Sequence, residues 1–258
     1  MEHYHDPEVD KIAELILESR RLTFFTGAGI STESGIPDFR GPGGIWGRFD
    51  PEDFSIERFL NNPAARRKQW ALFKELSISA QPNKAHLAIA ELYNLGKLDC
   101  VITQNIDNLH QKAGVPYKRV LELHGNMQSF LCLSCGSKYP FEKVMDRVKE
   151  NEPPDCEQCN GILKPDVVFF GEPLPEDILN EAMKRACTCD LMIIIGSGLT
   201  VYPASYLPAY AVDAGARLVI INLTPTPFDG QASIVVHAKA GVTMSAITFQ
   251  VKDRLFYK

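Results

Sequence analysis

The sequence predicts an α/β protein: a Rossmann-like doubly wound parallel sheet with a smaller helical and zinc-ribbon lobe. Three observations predict it. Short apolar runs alternate with helical patterns along most of the chain. Glycine loops follow two of those runs directly, and four cysteines stand as two Cys-x-x-Cys pairs in a stretch that breaks the alternation.

In chain order, Val9, Ile12, Leu15 and Ile16 share one face of a helix over 7–20, and LTFFT at 22–26 reads as a buried strand ending in glycine. LDCVIT (98–103), RVLEL (119–123), LMIIIG (191–196), RLVIIN (217–222) and SIVV (233–236) repeat the strand type. Each is short and apolar enough for a parallel sheet covered on both faces. Helical patterns lie between them at 83–96, 175–187 and 203–215, with Asn83 placed to cap the first and Gly96 to end it. Two stretches do not alternate. One is 41–80, a loop and then helical sequence; the other is 131–164, which holds the cysteine pairs. The expected division is a Rossmann-like core from 1–40, 81–130 and 165–258, a helical insertion at 41–80, and a zinc module at 131–164.

With 258 residues, 45% of them hydrophobic, the chain can bury a full core without staples. Its net charge of -5, with acids and bases interspersed, argues against direct nucleic-acid binding by a globally basic surface. The start MEHYHDPEVDKIAELILESR lacks a basic segment followed by an apolar run, and no window approaches 18 apolar residues, so a soluble cytoplasmic protein without a membrane segment is expected.

Cys132-Leu-Ser-Cys135 and Cys156-Glu-Gln-Cys159 are separated by twenty residues, a spacing that lets two knuckles converge on one ion. Four thiolates leave no open position for water, so the implied Zn2+ is structural. Cys100, Cys187 and Cys189 sit in or beside strand and helix runs and read as small core residues.

Gly27, Ala28 and Gly29 follow the first strand, where glycines let backbone amides approach a pyrophosphate. Thr32 stands where a hydride-transfer fingerprint needs its third glycine, and the acidic residues at 50–53 lie in loop sequence, which disfavours an ordinary dehydrogenase site. A second loop, Gly196-Ser197-Gly198, and Asn222 end two later strands. Gln104-Asn105-Ile106-Asp107 and Leu123-His124-Gly125-Asn126 place polar side chains at two more strand ends, and His124 is the side chain able to exchange a proton near neutral pH. These residues describe a zinc-bearing dinucleotide binder and leave its reaction open.

GAGISTESGIPDFRG (27–41), TQNIDNLHQKAG (103–114), LHGN (123–126), the cysteine pairs, VVFFGE (167–172) and GSGLTVYPA (196–204) resemble the sirtuin family, in the family's order. The resemblance implies an NAD-dependent protein lysine deacetylase. Such an enzyme transfers the acyl group of acyl-lysine to ADP-ribose, releasing nicotinamide, deacylated lysine and O-acyl-ADP-ribose, and NAD is a consumed co-substrate. By similarity Ala28, Thr32 and Arg40 hold the phosphates and Phe39 screens the nicotinamide side. Ile106 and Asp107 recognise the carboxamide, and Asn105 positions the ribose and the attacking species. His124 is the general base, while Ser197, Gly198, Asn222 and Ala240 match the adenosine side. The acyl-lysine protein substrate is expected to add a strand between the VVFFGE segment and Thr200-Val201-Tyr202, with Val168, Phe169, Phe170, Gly171 and Val201 around the acyl-lysine.

Relatives that prefer succinyl or malonyl groups carry Tyr-x-x-Arg in the helical insertion, where this chain aligns Trp70 and Phe73, which favours neutral acyl groups; Arg66, Arg67 and Lys68 lie near. Two features depart from the family: Gly-Ser-Gly in the second loop, and the stretch after Ala240, which lacks the common Leu-Pro ending. The alternatives are a mono-ADP-ribosyltransferase using the same site and a non-catalytic zinc- and NAD-binding adaptor.

Overall fold

The computed structural model describes residues 7–76, 80–148 and 153–256. Residues 1–6, 77–79, 149–152 and 257–258, which the expected division also takes in, lie outside the described residues. The chain runs through α1 (Pro7–Glu18), β1 (Leu22–Thr26), α2 (Ile56–Asn61), α3 (Pro63–Leu76), α4 (Lys84–Asn94), β2 (Leu98–Thr103) and α5 (Leu109–Lys112). It continues through β3 (Val120–Glu122), β4 (Gly125–Cys132), β5 (Lys138–Pro140), α6 (Phe141–Met145), β6 (Leu163–Val167) and α7 (Glu176–Thr188). β7 (Leu191–Ile195), α8 (Leu207–Asp213), β8 (Arg217–Ile221), β9 (Ile234–Val236) and α9 (Ala240–Phe256) complete it. Asn83 caps α4, accepting from the Ala85 amide at 2.9 Å, and Gly96 follows the helix at a φ of 72°. The pattern over 203–215 resolves into a short 3₁₀ turn, Ala204–Tyr206, and then α8.

Six strands pair in parallel in the order β3-β2-β1-β7-β8-β9. Successive side chains of a strand face opposite sides, and both sides are covered. Leu191, Ile193 and Ile195 of β7 pack in one core with Ile12 and Ile16 of α1, Ile89 of α4, and Met244 and Ile247 of α9. Met192 and Ile194 face the other core, with Ala182 and Ala186 of α7 and Ala211 of α8. The segment from Ala240 carries no predicted element and is a helix of 17 residues. Its buried Met244, Ile247 and Val251 are matched by exposed Val242 and Phe249, so no single apolar stripe marks it in the sequence.

A smaller antiparallel sheet, β5-β4-β6, carries the third core. Trp70 of α3 stacks on Phe130 of β4 at 4.7 Å, and Phe59 and Phe73 close on Phe169. Beside it the four predicted cysteines converge, with all ligand sulfurs within 4.8 Å of one another. Cys132 and Cys159 are 3.5 Å apart and Cys135 and Cys156 3.6 Å, and none is in a disulfide. Tetrahedral zinc–sulfur bonds separate sulfurs by about 3.8 Å, so this set fits a zinc ion with no position left for water. Tyr139 reaches the Cys156 sulfur at 3.1 Å and orients it from outside the cluster.

A structural ion of this kind contributes folding free energy directly. Prolonged chelation, or Cys156→Ala, is expected to remove about one zinc ion per chain by elemental analysis. The near-ultraviolet signal of the Trp70–Phe130 stack should fall while most helical far-ultraviolet signal persists. Retention of both zinc and that aromatic signal in Cys156→Ala would contradict the assignment.

Candidate functional site

Because β3, β2, β1, β7 and β8 are parallel neighbours, the residues just beyond their carboxyl ends share one edge of the sheet. That edge brings together His124 after β3, Gln104 to Asp107 after β2, Gly27 to Gly29 after β1, Gly196 to Gly198 after β7, and Asn222 after β8. The chain reverses its direction of winding between β1 and β7, the place where open α/β sheets hold ligands. A half-open pocket lined by Pro63, Arg66, Arg67 and Leu163 lies away from this edge, against the zinc lobe. An interaction site on an open sheet edge does not need to be a deep cavity.

At the reversal the two glycine loops lie backbone against backbone. The Gly27 amide donates to the Ile195 carbonyl (3.1 Å) and the Gly29 amide to the Gly196 carbonyl (2.8 Å). A Cβ on Gly29 would meet the Gly196 Cα at 2.8 Å, and one on Gly196, whose φ is 63°, would meet the Ile30 nitrogen at 2.2 Å. Gly27 and Gly29 therefore serve this contact, and their amides are engaged within the protein instead of facing a pyrophosphate. Ala28 is half-buried at the start of the following 3₁₀ helix; Thr32 is exposed, its hydroxyl donating to the Gly29 carbonyl (2.9 Å). Arg40 and Gly198 are exposed.

A hydrogen-bonded chain links the polar cluster. Asn105 donates through Nδ2 to the Gly27 carbonyl and to Ser31 Oγ, both at 3.1 Å, which leaves its Oδ1 to accept from a ligand. Ser31 donates to Asp107 Oδ2 at 2.6 Å, and the Leu109 amide donates to Oδ1. Ile106 contributes its carbonyl to the Met127 amide. Gln104 holds two loops at once: its Nε2 donates to Ser197 Oγ (2.9 Å) and its carbonyl accepts from His124 Nδ1 (2.8 Å). A proton on Nδ1 leaves His124 Nε2 with its lone pair. Burial pushes the His124 pKa below the usual histidine range, against the smaller raising effect of that carbonyl.

Farther along the edge, Asn222 is buried and donates to the Thr224 carbonyl at 2.7 Å. Ala240 is buried in the first core at the start of α9, where Glu33 accepts from the neighbouring Gly241 amide. On the other flank the segment after β6 leaves few free backbone groups. The Val168 amide donates to the His124 carbonyl, Phe169 to Glu172 Oε2, and Phe170 to the Phe54 carbonyl. A peptide strand is left the Val168 carbonyl and the groups of Gly171. Phe170 is exposed and Val201 half-buried, but Phe169 is a core residue between Phe59 and Phe73. Trp70 and Phe73 are likewise core. Of the nearby cations, Arg66 donates to the Phe59 carbonyl (2.8 Å) and Lys68 pairs with Asp53 (3.2 Å).

Ser31 and two histidines beneath the site belong to the arrangement and were not singled out by sequence reasoning. His110 bonds Thr26 Oγ1 (2.9 Å), which donates to Thr103 Oγ1 (2.8 Å), which in turn accepts from the Asn105 amide. His86 packs edge-on against His110 at 5.0 Å. Burial depresses both, His86 to about 4. The spacing of Ser31 from Gly29 was a usable signal; nothing in the sequence pairs two histidines 24 positions apart.

The Sir2 family pattern matches residues 27–203. An NAD-dependent protein deacetylase of Caldivirga maquilingensis is 48% identical over 246 residues, covering 94% of this chain and 93% of its own. One from Thermotoga maritima is 44% identical over 229 residues, covering 88% and 92%. Among solved structures, a Sir2 protein with a deacetylated p53 peptide and 3'-O-acetyl-ADP-ribose superimposes with a TM-score of 0.89 at 40% identity, covering 94% of this chain and 98% of its own. A Sir2 complex with a p53 peptide and NAD+ gives 0.85 at 40% identity, covering 93% and 97%.

Two outcomes follow from this geometry. Gly196→Ala places a side chain against backbone at positive φ and is expected to cost at least about 2 kcal/mol in denaturant unfolding. A neutral result would mean that the loops do not meet as described. Second, His86, His110 and His124 are held below 6.5, so beneath that pH the unfolded chain binds protons that the folded one refuses. Their contribution is complete above 6.5 and is lost as pH falls toward about 4, the His86 value. Each such histidine steepens the pH dependence by about 1.4 kcal/mol per pH unit within its window. Urea titrations across that range should show stability falling with acid; a flat profile would contradict neutral burial.

Proposed function

The chain belongs to the Sir2 family, and from that premise we propose how its own residues carry out the family's reaction. It is an NAD-dependent protein deacetylase that uses NAD as a co-substrate and yields O-acetyl-ADP-ribose. The observation that carries the proposed roles is the His124 Nδ1–H bond to the Gln104 carbonyl, which leaves Nε2 unprotonated on a histidine at the same sheet edge as Asn105. His124 is the general base: it accepts the proton of a ribose hydroxyl once the acyl oxygen has bonded to the anomeric carbon. Its depressed pKa keeps it in the base form at neutral pH.

Asn105 orients the ribose through its free Oδ1, held in place by Gly27 and Ser31. Asp107 and Ile106 face the nicotinamide carboxamide, and Phe39 keeps water from that side. Ala28, Thr32 and Arg40 hold the phosphates. Gln104 sets the distance between His124 and Ser197, and Ser197, Gly198, Asn222 and Ala240 line the adenosine side. Acyl-lysine peptides add to the Val168 carbonyl and Gly171 on one flank and to Val201 on the other, with Phe170 walling the acyl group. Phe169 acts from the core behind that wall. Neutral acyl groups are preferred, because Trp70 and Phe73 are core rings while Arg66 and Lys68 are engaged in contacts of their own. Cys132, Cys135, Cys156 and Cys159 would hold a structural zinc ion, which supplies cross-linking to the small lobe.

No helix among the described residues is long and apolar enough to cross a membrane. A reducing, cytoplasmic setting suits four sulfurs left free for metal, and the acidic balance supports protein substrates over direct nucleic-acid contact. The division into a Rossmann-like core, a helical insertion and a zinc module is retained: two clusters cover the faces of the large sheet, and the third is shared by the insertion and the zinc module.

The test is incubation with NAD and acetyl- or succinyl-lysine peptides, with products identified by mass. O-acetyl-ADP-ribose should form from the acetyl peptide faster than the succinyl analogue forms. His124→Ala is expected to lower acyl transfer by roughly 10²–10⁴-fold, and the wild-type rate should fall with acid only below the usual histidine range. Unchanged deacetylation in His124→Ala would refute the base assignment, and label from NAD passing covalently to protein would favour ADP-ribosyl transfer.

A further inference from the structure

Trp46 lies outside the residues assigned to the reaction, yet it touches both flanks of the site. Its ring is 5.0 Å from that of Phe39 and 6.0 Å from that of Phe170, and Phe54 meets it edge-on at 5.3 Å. The backbone repeats the connection. The Trp46 amide donates to the Phe39 carbonyl (3.0 Å), the Phe170 amide to the Phe54 carbonyl (3.1 Å), and the Ile56 amide to the Phe170 carbonyl (3.0 Å). Phe39 and Phe170 are thus the two ends of one aromatic unit with Trp46 at its centre. Both ends stay open, Phe39 at 40% exposure and Phe170 at 46%, while the tryptophan between them is half-buried. Just beyond Trp46, a two-bond Arg48–Glu75 pair (2.7 and 2.8 Å) ties this end of the loop to α3. The fixed side of the unit is therefore the small lobe, and the side with fewer restraints is Phe39.

We propose that Trp46 is a positioning residue that couples the acyl-lysine seat at Phe170 to the screen formed by Phe39, so that water is shut out when acyl-lysine is in place. This rests on the roles given above to Phe39 and Phe170. The chemistry makes the coupling measurable, because two nucleophiles compete for the anomeric carbon as nicotinamide leaves. When the acyl oxygen forms the new bond, a ribose hydroxyl then attacks the acyl carbon, lysine leaves as the amine, and one water taken up at that carbon, after the anomeric bond is made, completes O-acyl-ADP-ribose. When water forms it, the products are ADP-ribose, nicotinamide and a proton released to solvent, and the acyl-lysine is unchanged. A poorly seated Phe39 admits water and shifts the balance to the second course.

The experiment measures nicotinamide released against O-acetyl-ADP-ribose formed, for the zinc-loaded full chain with NAD and an acetyl-lysine peptide. The unsubstituted enzyme should give nearly equal amounts. Trp46→Leu should raise the fraction of free ADP-ribose by on the order of tenfold, within the roughly hundredfold that a misplacement of about 1 Å at a reacting centre can cause. Trp46→Phe, which keeps a ring, should restore most of the coupling. Phe54→Leu, which removes the ring behind Trp46, should move the ratio the same way by less, and it provides a second variant if Trp46→Leu does not fold. A purely structural role lowers both products in step. An unchanged ratio in Trp46→Leu, or in Phe54→Leu if the first does not fold, with normal product from the unsubstituted enzyme, would overturn the coupling alone. Absence of O-acetyl-ADP-ribose from the unsubstituted enzyme would overturn the underlying site reading as well.

Discussion

The contact on which the rest of this structure depends is the meeting of two glycine loops between β1 and β7. Backbone lies on backbone there, with the Gly29 amide on the Gly196 carbonyl and no room for a Cβ at Gly27, Gly29 or Gly196. This close approach lets Ser197 reach Gln104 and lets Asn105 reach the Gly27 carbonyl. Side chains from separate strands thereby become one hydrogen-bonded edge. A single methyl group in that contact would push the β1 and β7 loops apart and loosen both ends of the network.

That network is built to be neutral where it is deepest. His86 and His110 are buried and His124 half-buried, all with depressed pKa values, and their bonds run to the Asn83 amide, the Thr26 hydroxyl and the Gln104 carbonyl instead of to carboxylates. A buried imidazolium without a charged partner is costly, so burial itself selects the base form. For His124 this selects the protonation state that the proposed base role needs. Asp107, the acid nearest to the cluster, is satisfied by Ser31 and the Leu109 amide.

The small lobe acts on the site through position more than through chemistry. Its aromatic core fixes Phe169, which sets where Phe170 and Gly171 emerge, and the cysteine cluster secures the far end of the same sheet. A closed four-sulfur site suits that duty, since it offers rigidity and no reactive position. Lys164, buried beneath this segment, donates to the Val167 carbonyl and pairs with Glu172 at 2.9 Å, closing the turn that presents Gly171.

The alternation of apolar runs and helical patterns, and the two cysteine pairs, were enough to specify the parallel sheet, its covering helices and the metal-ligating set, because those signals are local and periodic. The strand-end motifs at Asn105, His124 and Ser197 were legible as polar residues following buried strands, and the family resemblance supplied the reaction. The helix from Ala240 was not legible, since apolar residues on several of its faces hide the one it buries. Only tertiary structure decided that Gly27 and Gly29 serve the packing of two loops, that Trp70, Phe73 and Phe169 are core, and that Trp46 joins Phe39 to Phe170. Each of these depends on which distant segments meet, and side-chain spacing along one segment carries no record of its neighbour in space.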